Sequence, residues 1–259
     1  MQKYAFFFDF DGTLYSHSTK SVPQSAQEAL CKLQADGHTI IIATGRGPNS
    51  MELIQRELAC SCDTMILLNG QLVFHKGRKI FEQFVPQSTL REFLGKAREY
   101  GFAYGGYCVN GEVVDHMNKR VAAVWNDFHN PIPAVLERFE EKYPLYQGHL
   151  YITREESDVL NEYLNDYVMN WSHEYLVNLI SKEAGKSRGI RWLLERYGIP
   201  KEHSFAFGDG YNDKDMLQFV AHGIAMGNAL DDLKQVAEHV TDSVDEDGIA
   251  NALSLYNVI

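Results

Sequence analysis

Two aspartates stand two residues apart where an apolar run stops, in Phe6-Phe7-Phe8-Asp9-Phe10-Asp11-Gly12-Thr13-Leu14. Side chains two apart on a strand share a face, so Asp9 and Asp11 can address one small volume. Two anions that close repel, and a divalent cation or a retained proton relieves them. The apolar run suits a buried parallel strand, whose carboxyl end is where an open α/β sheet holds its ligands. An ordinary strand ending in an Asp-Gly turn is the bland reading of the same residues. A calcium loop is excluded, because glycine stands fourth (Gly12) and the twelfth residue is Lys20, not Glu.

A second acidic group follows far along the chain. Residues 204–207 form a short apolar strand that runs into Gly208-Asp209-Gly210-Tyr211-Asn212-Asp213. Asp209 thus repeats the setting of Asp9, and Asp9, Asp11, Asp209 and Asp213 would cluster at one sheet edge. Such a cluster wants a cation. Between them, the strand over 38–43 ends in Thr44-Gly45-Arg46-Gly47-Pro48. A hydroxyl and backbone amides at a strand-to-helix turn make an anion site, although Thr44 serves equally as a helix cap. Neither a dinucleotide fingerprint nor a Walker loop is present: Ser50 replaces the third glycine, and no Gly-Lys-Ser/Thr closes a loop of the right length. Lys186, after Gly185, reads alone as a solvated surface lysine.

These residues need a sheet to position them. The spacing of Ala26, Ala29, Leu30 and Leu33 predicts a helix over 25–34, and strands follow over 38–43 and 64–68. Residues 71–85 read as a hairpin after Asn69-Gly70, which a turn explains most simply. From 86 the pattern changes to an α+β mixture: helices over 90–100, 132–143 and 156–165, short strands over the Tyr- and Gly-rich 102–114, and strands over 150–153, 168–171 and 176–180. Strand–helix alternation resumes at Gly185-Lys186-Ser187. The fold class expected is α/β, a doubly wound parallel-sheet core (1–85 and 185–259) with an inserted α+β cap domain (86–184). His116, His149 and Arg154 of the insert could read substrate hydroxyls, though each alone reads as a surface residue.

Asp9–Leu14, Thr44, Lys186 and the Gly-Asp-Gly-x-Asn-Asp block, with their spacing, resemble the motifs of the haloacid dehalogenase-like hydrolases, and the full length is similar to their Cof-type sugar-phosphate phosphatase branch with a type IIB cap. The resemblance implies an aspartyl-phosphate mechanism. Asp9 would be the nucleophile, Asp11 the acid/base, and Lys186 the neutralising cation. Thr44, Gly45, Arg46, Lys186 and Asn212 would bind the phosphoryl group. Mg2+ would be held by Asp9, Asp209, the backbone carbonyl of Asp11 and Asp213, with Asp213 acting directly or through bound water. A phosphomutase would use the same pair of aspartates, and a non-catalytic metal- or phosphate-binding regulator is the alternative of another class. A dehalogenase has no need of Asp11.

The formal net charge of -11 argues against a nucleic-acid backbone binder. No apolar run approaches the ~20 residues that span a bilayer. Cys31, Cys60, Cys62 and Cys108 lack a zinc-knuckle spacing, and with no export signal they read as reduced thiols of a cytoplasmic protein. A small phosphorylated metabolite is the partner expected, with no nucleic acid, membrane or obligate protein partner.

Overall fold

The computed structural model describes residues 3–128, 131–182 and 184–259. The chain forms two compact units, one from Met1–Glu82 with Gly185–Ile259 and one from Gln83–Ala184. The first begins with β1 (Ala5–Phe8), α1 (Gln24–Ala35), β2 (Thr39–Ala43), α2 (Met51–Glu57), β3 (Thr64–Leu67), β4 (Leu72–His75) and β5 (Arg78–Glu82). The second holds α3 (Gln87–Glu99), β6 (Ala103–Cys108), β7 (Gly111–Val114), α4 (Lys119–Asp127), β8 (Ala134–Val135), α5 (Phe139–Lys142), β9 (Leu145–Tyr151), α6 (Arg154–Ser157), β10 (Tyr167–His173) and β11 (Leu176–Ser181). The chain returns to the first unit with α7 (Lys186–Tyr197), β12 (Ser204–Gly208), α8 (Lys214–Phe219), β13 (His222–Ala225), α9 (Asp231–Lys234), β14 (His239–Val240) and α10 (Gly248–Leu255).

The first unit is built on a sheet of order β14-β13-β12-β1-β2-β3-β4-β5. From β14 to β3 the strands are parallel, while β4 and β5 run antiparallel. β1 sits at the centre because both its faces are apolar. Ala5 and Phe7 join Ile41, Ile66, Ala206 and Ile190 in one core layer. Phe6 and Phe8 point the other way and stack on Phe205 and Phe207 of β12, each pair with centroids 4.9 Å apart. Burying each phenyl ring is worth ~1.5–3 kcal/mol, so β1 is a rigid base for Asp9 and the turn beyond it. The chain winds from β1 through β2 to β3 on one side and from β12 through β13 to β14 on the other. The β1–β12 pair is therefore the topological switch point, and Asp9 and Asp209 follow those two strands directly. α1 buries Ala26, Ala29, Leu30 and Leu33, the stripe expected from their spacing.

The second unit has a six-stranded sheet of order β10-β11-β9-β6-β7-β8. Leu90, Phe93, Leu94 and Ala97 of α3 cover one face, against Tyr104, Leu150, Tyr167 and Leu179. On the other, Val121, Val124 and Trp125 of α4 pack with Val114 and Tyr151.

Here the local pattern misleads in places. The helix expected over 132–143 is replaced by β8, which pairs with β7, and the four-residue α5, because the chain is extended over Ala134–Val135 and left-handed at Arg138 (φ 53°). The helix expected over 156–165 starts earlier, as α6, behind a capping box of Thr153 and Glu156, and then tightens into a 3-10 turn over Asp158–Tyr163. α4 was not anticipated; Asn118 caps it by accepting from the Arg120 and Val121 amides. Among the described residues, no helix is long and apolar enough to cross a membrane.

Candidate active site

β1 delivers Asp9 to the carboxyl edge of the sheet, where the Asp9 amide donates to the Phe207 carbonyl at 2.9 Å. The first turn of α7 brings Lys186 to the same point. Lys186 is completely buried. Its Nζ donates to Asp9 Oδ1 at 2.5 Å and to Asp213 Oδ1 at 2.6 Å. Burial by itself would lower the lysine pKa; the carboxylates of Asp213 and Asp9 outweigh it and hold the ammonium above its ordinary value. The solvated-surface reading of Lys186 is thus wrong. The side chain is enclosed and its charge is met by Asp9 and Asp213 at the end of β1.

The acids differ in what their oxygens do. Asp213 Oδ2 accepts from the Asp209 and Gly210 amides at 3.0 and 2.9 Å, while Oδ1 holds Lys186. Both its oxygens are therefore engaged. Asp209 Oδ1 accepts from Thr13 Oγ1 at 2.9 Å. The Asp209 carboxylate lies against Gly12, where any Cβ would collide with it, and Gly12 also has a φ of +79°. Only glycine lets the loop after β1 come this close. Burial raises the Asp9 carboxyl well above the usual range against the pull of Lys186, and Asp213, Asp209 and Asp11 add to the rise. Burial, reinforced by Asp213, pushes Asp209 up to about 7.

Carboxylate oxygens of Asp9, Asp209 and Asp213 lie within 4.8 Å of one another, and among the described residues these three form the metal-sized acidic group. The donor set suits a hard divalent cation: all oxygen, partly desolvated, and with carboxyls whose charged forms lack enough compensation. Asp9 and Asp209 are better placed to hold it than Asp213, whose oxygens are committed to Lys186 and the loop amides.

The Asp11 side chain is not drawn into this group. Arg46 grips it with two parallel bonds, Nε to Oδ2 at 2.7 Å and Nη2 to Oδ1 at 2.6 Å. The guanidinium lies over the Phe10 ring, 5.1 Å from its centroid. Two Arg46 nitrogens are thereby engaged by Asp11. Thr44 Oγ1 is buried and accepts from the Arg46 amide at 3.1 Å, which leaves its own O–H to donate. Asn212 Nδ2 donates to Asn69 Oδ1 at 2.9 Å, above Gly45. The predicted residues Asp9, Asp11, Thr44, Gly45, Arg46, Asp209, Asn212 and Asp213 follow neighbouring strands at one sheet edge, and Lys186 joins them from the first turn of α7.

Several supporting residues escaped the sequence. Thr13 steadies Asp209. Asp215 accepts from the Ser187 amide at 2.8 Å and so holds the first turn of α7 that carries Lys186. Asn228 donates to the Gly12 carbonyl at 2.8 Å and accepts from Val244, pinning the loop after β1 from the far end of the chain. An asparagine in a Gly-Asn-Ala turn was the one available signal for Asn228.

In the second unit, His116 bonds Asp115 at 2.6 Å. Arg154 stacks over Trp171, 4.7 Å from its ring centroid. His149 is not a surface residue: it is 1% exposed, shares a bond with the Tyr151 hydroxyl at 3.2 Å, and burial pulls its pKa down to about 3, so the ring is neutral.

A family model described as haloacid dehalogenase-like hydrolase matches residues 6–253. The chain belongs to this family. YkrA of Bacillus subtilis (strain 168) is 32% identical over 252 residues, 95% of either chain. From the same organism, the 5-amino-6-(5-phospho-D-ribitylamino)uracil phosphatase YitU is 26% identical over 276 residues, 98% of this chain and 97% of its own. Among solved structures, the haloacid dehalogenase subclass IIB sugar phosphatase BT4131 superposes with a TM-score of 0.87 at 31% identity, covering 99% of this chain and 100% of its own. This haloacid dehalogenase-like hydrolase is a phosphoric monoester hydrolase with an α/β core and a cap domain.

Proposed function

We propose that the protein is a Mg2+-dependent phosphatase of small phosphorylated metabolites, sugar phosphates foremost, acting through an aspartyl-phosphate on Asp9. The observation that carries this reading is the Asp9 carboxylate at the end of a rigid strand, with one oxygen held by a buried lysine. A carboxylate fixed in this way presents its second oxygen in a constant direction, and phosphoryl transfer depends mainly on such positioning and on charge stabilisation. YitU acts on a phosphoribityl compound and BT4131 is a sugar phosphatase by their names, and both support a polyhydroxylated leaving group here.

In the first half-reaction Asp9 Oδ2 forms a bond to phosphorus. The bond from phosphorus to the ester oxygen breaks, and its electron pair leaves with that oxygen, which takes a proton from Asp11; to carry that proton Asp11 gives up one of its two bonds to Arg46. In the second half Asp11 takes a proton from water, the water oxygen bonds to phosphorus, and the Asp9 carboxylate is released. Lys186, the Thr44 hydroxyl, the Gly45 loop and the Asn212 amide receive the phosphoryl oxygens, and Arg46 holds Asp11 in line. Asp9 and Asp209 would hold Mg2+, with Asp213 supporting them from behind. When bound, the ion offsets the negative charge of the phosphoryl oxygens. The second unit, about residues 86–184, is the cap that selects the leaving group.

The test uses a labelled sugar phosphate with wild-type protein and Asp9→Asn, each with Mg2+ or EDTA. Turnover should require Mg2+, and acid quench should trap label on Asp9 alone. Label on another residue, or turnover in metal-free protein, overturns the mechanism.

A further inference from the structure

The turn between β3 and β4 is more than a hairpin connection. Leu68, Asn69 and Gly70 are all left-handed, with φ of 50°, 53° and 92°. Glycine adopts this region freely and asparagine tolerates it, but it is costly for a leucine. The turn repays that cost with contacts to three loops of the site. The Asn69 amide donates to the Thr44 carbonyl at 3.2 Å. Gly70 lies against the Gly185 carbonyl, immediately before Lys186, where any Cβ would collide. The Asn69 side chain is buried, and its Oδ1 accepts from Asn212 Nδ2, a residue 143 positions away in sequence. A Cβ at Gly45 would come within 3.1 Å of that same Oδ1, so the Asn69–Asn212 pair lies directly over the loop that follows Thr44.

We infer that Asn69 is a positioning residue that fixes the plane of the Asn212 amide for the phosphoryl group. This rests on the phosphoryl-transfer reading above. A hairpin needs a residue at position 69 that tolerates a left-handed backbone, and glycine meets that need fully. It has no need of a buried acceptor bonded to a distant loop. With one N–H tied to Asn69, the Asn212 amide cannot rotate, and its second N–H keeps one direction. Without Asn69 the amide is free to turn, and the oxygens it would meet lose an oriented donor.

Asn69→Gly separates the two roles, since it keeps the turn and deletes the acceptor. Binding of orthovanadate in saturating Mg2+ is measured by calorimetry for wild type, Asn69→Gly, Asn212→Ala and the double variant. Asn69→Gly should weaken vanadate about tenfold, the worth of one hydrogen bond to a charged group. Its melting temperature and the shift that Mg2+ gives should stay as in wild type. In the Asn212→Ala background the same substitution should cost nothing further, because Asn69 acts through Asn212. Vanadate affinity equal to wild type, an equal loss with and without Asn212, or a variant that unfolds would each overturn the inference. Wild-type protein that neither binds vanadate nor turns over a phosphate ester would overturn the phosphoryl-transfer reading, and this inference with it. If wild type does both and Asn69→Gly matches it, the inference alone fails.

Discussion

Replacing Lys186 by methionine tests the electrostatic centre of the site without touching its shape. Methionine has nearly the length of the lysine stem and fits the same buried channel. The substitution removes the one cation between Asp9 and Asp213, both buried and 2.5 and 2.6 Å from its nitrogen. Breaking a buried ion pair by removing one partner costs ~3–5 kcal/mol, because the remaining charge is left uncompensated. At ~2–4 °C per kcal/mol for a unit of this size, the melting temperature should fall by about 10 °C. The deficit should depend on pH in a definite direction. The Asp9 carboxyl already lies above its ordinary value of 3.8, and losing Lys186 raises it further. A carboxyl raised in the folded state contributes stability that is fully present below its unfolded pKa and is lost as pH rises through the folded one. The variant should therefore approach wild type near pH 5 and fall away from it towards pH 8. Adding Asp9→Asn to Lys186→Met should restore part of the loss at pH 8, since it removes one of the two stranded charges. Thermal melts monitored by circular dichroism in EDTA at pH 5, 6.5 and 8 measure all of this. A deficit below about 1 kcal/mol, or one that does not change with pH, would refute the claim that Lys186 is the counter-charge of the site.

Asp11→Asn should lower turnover of sugar phosphates by ~10²–10⁴, and that of p-nitrophenyl phosphate much less, because a good leaving group needs little protonation; equal losses would place Asp11 in a structural role. Mg2+ affinity should rise with pH, because Asp209, pushed up to about 7, must release its proton to solvent for the ion to bind. Calorimetry in buffers of different ionisation enthalpy should find about one proton released per ion near pH 6 and few at pH 8; an affinity that is flat over that range would contradict it. Calcium should bind the same acids without supporting turnover, since its longer bonds and looser coordination do not hold an in-line geometry.

The parts of the fold that were legible are those in which burial leaves no choice. Phe6-Phe7-Phe8 and Ile40-Ile41-Ile42 are buried on both faces, so parallel strands show as unbroken apolar runs, and their abrupt end marks the site. Asp9 and Asp209 were visible for that reason. Bounds in the second unit were harder because antiparallel strands tolerate mixed faces: β10, expected over 168–171, runs over Tyr167–His173 and is mostly half-buried, whereas the short strands expected over 102–114 are β6 and β7. Lys186 was ambiguous because nothing next to it in sequence shows that it will be enclosed. Its partners Asp9 and Asp213 lie 177 and 27 positions away. The same distance hid the links of Asn69 to Asn212 and of Asn228 to Gly12. Motif spacing marks which residues could react. A set of long-range bonds holds them in place, and a local pattern carries no trace of those.

The arrangement of charge around Asp9 explains why one aspartate of the cluster is suited to attack. Asp213 is bound at both oxygens, so it is a fixed counter-ion for Lys186 and a brace for the loop after β12. Asp209 is steadied by Thr13 at one oxygen and lies against Gly12. Asp11 is clamped by Arg46. Asp9 alone combines a strand-end backbone anchored to Phe207 with a carboxylate tethered by a single lysine at one oxygen. Lys186 lowers the pKa of that carboxyl against a burial that raises it further, and the same ammonium is shared with Asp213. A fully neutralised Asp9 would be a poor nucleophile, and an unpaired one would not stay ionised at this depth. Sharing one lysine between two carboxylates leaves Asp9 between these extremes, and the stacked phenylalanines of β1 and β12 supply the rigidity that keeps the sharing geometry fixed.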